Sequence, residues 1–195
     1  QGQPDVFWPG YIRKFAKSSG TTNAKSKFIP ISEESLEDCH FKAGKDLLSI
    51  YANNHPENSL FSNKNLRLGG SSELYEDFNT KFGDLSAIMI ENLPFWVEIT
   101  TTPSKKVSLM SEWESKLKAI VSVVKNEDVG SMTGVPSWMM VLLQRTLADT
   151  GKETIAEIWP NLEVFFHGGI SFKPYRDQYR KIIGKDINYY EIYNA

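Results

Sequence analysis

Cysteine, long apolar runs and an excess of one sign of charge are all scarce in this sequence. Cys39 is the single cysteine among 195 residues, which excludes an internal disulfide and is typical of a reducing compartment. The longest apolar run, VPSWMMVLL at 135–143, is too short to span a bilayer and is interrupted by Pro136 and Ser137. The formal net charge of −2 indicates no nucleic-acid partner. These features predict a globular protein that binds neither a membrane nor nucleic acid.

Neither end of the sequence has the features of a native terminus. The first residues, QGQPDVFWPG, lack an initiator methionine and also lack the charged and then apolar pattern of a secretory leader. The last residues, INYYEIYNA, form an apolar, strand-like run, whereas native termini are usually polar and exposed. We therefore expect a fragment of a longer, cytoplasmic protein, with residues 1–195 in one domain and no separate second domain.

Strand and helix patterns alternate through the second half of the chain. Apolar spacings predict helices over 112–126, 137–149 and 174–183, and buried strands over 162–169 and 187–193. Such alternation is typical of right-handed βαβ units. The sequence therefore predicts an α/β fold with a mainly parallel sheet and flanking helices.

Local signals predict where several helices begin and which faces they bury. Ser111 and Glu114 fit a capping box at the start of the 112–126 helix. Nearer the amino terminus, Pro30 should end a strand and Ser32 should cap a helix. That helix has one predicted buried stripe at helical spacing, formed by Leu36, Cys39, Ala43, Leu47, Ile50 and Tyr51.

Glycine and polar residues follow two of the predicted strands. His167-Gly168-Gly169 ends one strand, and Tyr193-Asn194-Ala195 ends the next. Small ligands of open α/β sheets bind in the crevice outside the carboxyl ends of the strands. We therefore expect a small-molecule site at this end of the sheet.

A stretch rich in small residues, AKSSGTTNAKSKFIP at 16–30, has the composition of an anion-binding loop. Ser18–Thr22 would offer backbone N–H groups to a phosphate, and Lys25 or Lys27 would supply a mobile positive charge. The stretch is not a Walker loop, because it lacks G-x-x-x-x-G-K-[ST] and leads into a strand. On composition alone, a plain surface turn is the alternative.

The order of several short motifs resembles one family of enzymes. SSGTT, followed by a lysine and an apolar residue, resembles the phosphate loop of the adenylate-forming superfamily. The stretch IWPNLEVFFHGGISFKPYRDQYRKIIGKDINYYEIYNA is similar to the auxin-responsive acyl acid-amido synthetases, the Gretchen Hagen family. Members carry W-P-N, a glycine-containing strand end, a helix, and a strand ending Y-x-[AS]-S-E. The resemblance covers most of the chain and suggests a bacterial-type member, with this fragment in its large N-terminal domain.

The resemblance implies ATP-dependent activation of a carboxylic acid. The acid oxygen would attack the α-phosphate of ATP, pyrophosphate would leave, and an amine such as an amino acid would then accept the acyl group. Such chemistry depends on positioning and charge neutralisation. The resemblance assigns the β- and γ-phosphates to Ser18, Ser19, Gly20, Thr21, Thr22 and Lys27. It assigns the adenine to Gly168, Gly169, Tyr193 and Ala195.

Departures from the family pattern limit what this chain should do by itself. Asn23-Ala24 stand where the family has a small residue followed by glycine. The chain stops at Ala195, where the family continues with serine and with a glutamate expected to bind Mg²⁺. The ribose-binding aspartate motif and the carboxyl-terminal lid are also expected beyond that point. We therefore expect ATP and Mg²⁺ to serve the intact protein, no metal ligand in this fragment, and no turnover by the fragment alone.

The same motifs leave alternatives open. The protein could be an acyl-CoA ligase of the same superfamily, or a nucleotide-binding domain without catalytic activity. A serine hydrolase is a further alternative, because AKSSG resembles a nucleophile elbow around Ser18 and His167-Gly168-Gly169 resembles an oxyanion loop. That order is the reverse of the one in α/β-hydrolases, where the oxyanion loop precedes the nucleophile.

Three other residues have two interpretations each. Trp138 and Met139 could line an acyl pocket, because aromatic and methionine side chains suit apolar ligands, but the same residue types also fill cores. His167 is predicted to be a packed or capping residue, since no Cys/His/carboxylate set with metal spacing accompanies it.

Overall fold

The computed structural model describes residues 3–6, 8–18, 27–69, 74–77 and 79–193. Its strands are β1 (Lys14–Lys17), β2 (Phe28–Ile31), β3 (Lys64–Leu68), β4 (Leu74–Asp77), β5 (Thr80–Gly83), β6 (Thr101–Thr102), β7 (Val129–Gly134), β8 (Val164–Gly168) and β9 (Asn188–Ile192). Its α-helices are α1 (Lys42–Asn54), α2 (Leu85–Glu91), α3 (Phe95–Thr100), α4 (Lys105–Ser108), α5 (Trp113–Val124), α6 (Pro136–Thr150) and α7 (Arg176–Ile183). A π-helical segment, Ser35–Phe41, leads into α1.

The chain divides into two compact units. The first comprises residues 1–56 and 70–93, and the second comprises residues 57–69 and 94–195. In the sequence, β3 is therefore separated from the other strands of the second unit by part of the first. That all of 1–195 belongs to one domain of a longer protein stays a prediction.

The first unit contains a mixed sheet with the strand order β2-β1-β5-β4. β1 pairs antiparallel with β2 and parallel with β5, and β4 pairs antiparallel with β5. Pro30 lies inside β2, opposite Phe15, so the prediction that Pro30 ends this strand is wrong. Proline is tolerated there because β2 is the outermost strand on its side of the described sheet, and an outer strand can dispense with an N–H donor.

The first helical region buries a different face from the one predicted. Of the predicted stripe, Leu36 and Tyr51 are buried, whereas Cys39, Ala43 and Ile50 are exposed. Phe41, outside the stripe, is buried instead. The i→i+5 bonding of the π-helical segment rotates the following side chains away from their α-helical positions, which explains the difference. The core of this unit consists of Ala16, Ile31, Leu36, Phe41 and Ile88.

The second unit contains a sheet with the order β6-β3-β7-β8-β9, in which every described pairing is parallel. Helix α6 connects β7 to β8, and α7 connects β8 to β9. These are the βαβ units that the alternating patterns predict. The α/β class, with a mainly parallel sheet and flanking helices, is therefore confirmed.

One large core holds the second unit together. The indole of Trp159 is fully buried in it, and its Nε1 donates a hydrogen bond to the backbone oxygen of Val124 at 2.9 Å. This bond ties the segment before β8 to the end of α5. Other fully buried core members include Leu66, Ile120, Met132, Met139, Leu142, Phe165 and Tyr179.

Single residues determine the carboxyl end of α6 and the amino end of α5. Helix α6 ends at Gly151, whose φ of 67° is the left-handed conformation that glycine adopts easily. Helix α5 begins differently from the prediction, because Glu112 caps it by accepting hydrogen bonds from the N–H groups of Glu114 and Ser115. The capping box of Ser111 and Glu114 is therefore wrong. Within the described ranges, no helix has both the length and the apolarity needed to cross a membrane.

Candidate functional site

The predicted phosphate loop joins the two strands of a β-hairpin in the first unit. Ser18 directly follows β1, and Lys27 directly precedes β2. The Ser18 N–H donates to the Lys27 oxygen at 2.8 Å, and the Lys27 N–H donates to Ser18 Oγ at 3.0 Å. Ser19, Gly20, Thr21 and Thr22 lie outside the described residues. The two bonds close the base of the loop, and Lys27 is exposed beside it.

The hairpin also argues against a serine nucleophile at Ser18. A nucleophile elbow is a sharp turn from a strand into a helix. Here the chain returns as β2, antiparallel to β1, with Lys17 opposite Phe28. Ser18 Oγ already accepts the hydrogen bond that closes the loop.

The predicted glycine pair forms a tight turn at the carboxyl end of β8. Gly168 is the last residue of that strand and pairs with Ile192 of β9. A Cβ at Gly168 would lie 2.3 Å from the Ile192 backbone oxygen, so only glycine fits between the strands there. Gly169 has a φ of 82°, which side chains rarely tolerate. Both glycines are thus required by the backbone itself.

Tyr193 lies next to this turn. It follows Ile192, the register partner of Gly168, and its side chain is 89% exposed. The structure therefore brings Gly168, Gly169 and Tyr193 together at the carboxyl end of the parallel sheet, where small ligands of such sheets bind. Ala195 lies outside the described residues.

His167 directly precedes the glycine turn and packs into the core side of the sheet. It is buried and stacks on Phe172, with ring centroids 4.2 Å apart and an interplanar angle of 23°. Burial lowers the pKa of His167, although the charge of Glu191 opposes the shift. Its Nδ1 atom is buried and has no hydrogen-bond partner in the described part of the chain. His167 is therefore a packed residue, as the sequence predicts, and its lowered pKa favours the neutral imidazole.

The two residues suggested for an acyl pocket do not share an environment. Met139 is fully buried in the core of the second unit. Trp138 is 39% exposed and contacts Trp113, with ring centroids 6.1 Å apart. Adjacent helical residues point about 100° apart, which explains the difference. Of the two, only Trp138 offers surface to a ligand.

A polar cluster that the sequence motifs did not predict lies on the face of the second sheet opposite its core. The side chains that alternate with the core residues of β3 and β7 are Asn65, Arg67, Ser131 and Thr133. Asn65 Nδ2 donates to Ser131 Oγ at 2.9 Å and to Thr133 Oγ1 at 3.1 Å. A charged residue between Leu66 and Leu68, in a strand with two buried leucines, was the signal that could have revealed the cluster.

Acidic and metal-binding side chains do not converge in the described ranges. No group of three or more His, Cys, Asp or Glu residues there is arranged to hold a metal ion.

The fold and the turn define a class: an α/β protein with a parallel sheet and a glycine turn at the carboxyl end of one of its strands. Comparison with known families makes this specific. The GH3 family N-terminal domain matches residues 1–187, and the chain therefore belongs to the GH3 family. A search of curated proteins finds no match.

Solved structures share this fold. One is "AtGH3.15 acyl acid amido synthetase in complex with 2,4-DB", with a TM-score of 0.71 and 13% sequence identity, covering 100% of this chain and 43% of that chain. Another is "GH3.15 acyl acid amido synthetase", with a TM-score of 0.67 and 10% identity, covering 95% of this chain and 40% of that chain. The present chain thus spans less than half the length of these relatives.

Proposed function

We propose that the protein containing this chain is an acyl acid amido synthetase. It uses ATP to activate a carboxylic acid as an acyl-adenylate and transfers the acyl group to an amine such as an amino acid. The observation that carries the proposal is the match of residues 1–187 to the GH3 N-terminal domain. Support comes from the common fold of the two solved structures, whose titles describe acyl acid amido synthetases.

The reaction has two steps. First, a carboxylate oxygen bonds to the α-phosphorus of ATP while the bond to pyrophosphate breaks. Second, the amine nitrogen bonds to the acyl carbon, AMP leaves with the bonding electrons, and the amine loses a proton. Neither step needs a protein nucleophile. The protein must align the reactants and neutralise phosphate charge.

The hairpin loop is proposed to bind the β- and γ-phosphates. Its closed base places Lys27 at one end of the loop, and the sequence of residues 19–22 has the small side chains that suit backbone N–H contacts to an anion. Lys27 supplies an exposed positive charge. Ser18 keeps a hydroxyl proton to donate, because its oxygen acts as an acceptor in the loop base.

The glycine turn is proposed to bind the adenine. Gly168 and Gly169 present backbone without side chains, and the exposed ring of Tyr193 lies beside them to stack on a purine. His167 and Phe172 hold the turn from the core side. Mg²⁺ would neutralise the charge of the triphosphate when bound.

ATP–pyrophosphate exchange with the full-length protein tests the first step. Labelled pyrophosphate should enter ATP only when a suitable acid is present, because exchange requires a reversible acyl-adenylate. A panel of aromatic and aliphatic acids should contain at least one that supports exchange. Absence of exchange with every acid would instead support a nucleotide-binding domain without catalytic activity.

The acceptor distinguishes the proposed synthetase from an acyl-CoA ligase. With an acid that supports exchange, amino acids should yield an acyl amide that mass spectrometry detects. Coenzyme A should yield no thioester. Formation of a thioester without an amide would show that the protein is an acyl-CoA ligase instead. The 195-residue chain by itself should give neither product.

A further inference from the structure

Arg67 and Thr133 are neighbours on the polar face of the second sheet, and each has a hydrogen-bond donor for which the described residues supply no acceptor. Arg67 of β3 and Thr133 of β7 are register partners. The Nε atom of Arg67 is buried and has no hydrogen-bond partner among the described residues. Thr133 Oγ1 accepts the bond from Asn65, so its own proton is left to donate. Both side chains are half-buried, so each keeps some accessible surface.

Among the described residues, no carboxylate forms an ion pair with the guanidinium of Arg67, and Glu98 acts on it only through space. Glu98 is at the same time 3.7 Å from the Nζ of Lys105. Burial lowers the pKa of Arg67 to about 10, which still leaves the guanidinium charged at neutral pH.

This arrangement matches the chemistry of a carboxylate. An N–H and an O–H side by side can each bind one oxygen of a planar carboxylate, and one guanidinium balances its single charge. A phosphate group carries more charge and is usually bound by several backbone N–H groups. Buried polar groups are nearly always hydrogen-bonded, so an orphan donor calls for a partner.

We propose that Arg67 and Thr133 form a binding site for the carboxylate group of a small molecule. The inference rests on the proposed function, in which two molecules bring a carboxylate: the acid that is activated and the amino acid that accepts it. The site binds one of them. Asn65 is a positioning residue, because its bond to Thr133 Oγ1 leaves the hydroxyl proton to point elsewhere.

Direct binding can be measured without ATP by NMR of the Arg67 Nε–H group in the full-length protein, with the signal assigned by its loss in R67Q. Phenylacetate, hexanoate and alanine serve as carboxylate probes, and phenylacetamide and inorganic phosphate as controls. At least one carboxylate should shift the signal to saturation, whereas phenylacetamide should not. The proposal is overturned if no carboxylate shifts the signal, or if phosphate binds more tightly than all three.

Enzyme kinetics distinguish the two sources of the carboxylate. If the site binds the acid, R67Q should raise the KM for the acid in pyrophosphate exchange at least tenfold and leave the KM for ATP unchanged. If the site binds the acceptor, exchange should be normal, and the KM for the amino acid should rise at least tenfold in amide formation. R67K should be weaker than wild type in either case, because lysine lacks the planar donor pair.

Matched variants separate binding from folding. T133S, which keeps the hydroxyl, should bind the probe better than T133V, which loses it. R145Q makes the same change at an exposed arginine of α6 and should behave as wild type. Normal KM values for both substrates in R67Q would overturn this proposal while leaving the synthetase activity intact. Absence of exchange in the wild type would overturn the synthetase, and the NMR titration would still decide the carboxylate site.

Discussion

Replacing Gly168 with alanine should force β8 and β9 apart. The added Cβ would lie 2.3 Å from the backbone oxygen of Ile192 and 3.3 Å from its backbone carbon. Ordinary van der Waals contact begins at 3.4 Å, so the two strands must separate by about 1 Å at this point. The obstacle is backbone on a paired strand, which cannot rotate out of the way as a side chain can.

The expected cost lies at the upper end of the range for overpacking. Adding a methyl group to a well-packed region usually lowers the free energy of unfolding by about 1–3 kcal/mol. Because the obstacle here is backbone, we expect a loss of about 3 kcal/mol. For a chain of this size, such a loss corresponds to a decrease in Tm of roughly 6–12 °C. The free energy of unfolding from urea titration, followed by circular dichroism, should show the same loss with an unchanged slope.

G44A is the matched control for this variant. Gly44 lies in α1 with no atom within 4 Å of an added Cβ, so alanine should stabilise the helix by about 0.5–1 kcal/mol. A G168A protein as stable as wild type would refute the strand-packing argument. If its KM for ATP rose at the same time, the glycine would be needed for the nucleotide rather than for the strands.

The remaining predictions concern three other residues. Y179F should lose about 0.5–1.5 kcal/mol of unfolding free energy in urea titration, because the hydrogen bond that the buried Tyr179 hydroxyl donates to the Pro136 oxygen at 2.7 Å would be lost. Stability should fall as the pH drops below 6.5, the ordinary pKa of histidine, because burial lowers the pKa of His167 and the unfolded chain then binds the proton first. In H167F, thermal melts between pH 7 and pH 5 should show a smaller loss, and an unchanged slope would contradict this assignment. K27A should raise the KM for ATP in pyrophosphate exchange about tenfold or more by removing a charge-assisted hydrogen bond, whereas K152A, at an exposed lysine, should not.

Local signals were sufficient for much of the fold. Helix α6 follows from apolar spacing, which is a property of neighbouring residues. The strand before the glycine turn could be predicted because its residues form a continuous apolar run, which is typical of a buried parallel strand. The predicted buried stripe was wrong before and within α1, because a π-helical segment changes the rotation per residue there.

Only part of the candidate site could be predicted, because local composition does not report contacts between distant segments. Composition identified the hairpin loop and the glycine turn, because anion binding and close backbone approach favour small residues. Nothing local to Gly168 indicates that the Ile192 oxygen approaches it, since that contact comes from a strand placed by α7. Nothing in the sequence indicates that Arg67 and Thr133 become neighbours.

The sequence alone therefore determined the alternation of strands and helices, the parallel class of the second sheet, and the position of its glycine turn. These depend on periodicity and on single residues with restricted or unusually free backbones. Only the tertiary structure decided which strands lie next to each other. Arg67 and Thr133 became neighbours because β3 and β7 pair in register, and hydrogen bonding between distant segments leaves no local pattern in the sequence.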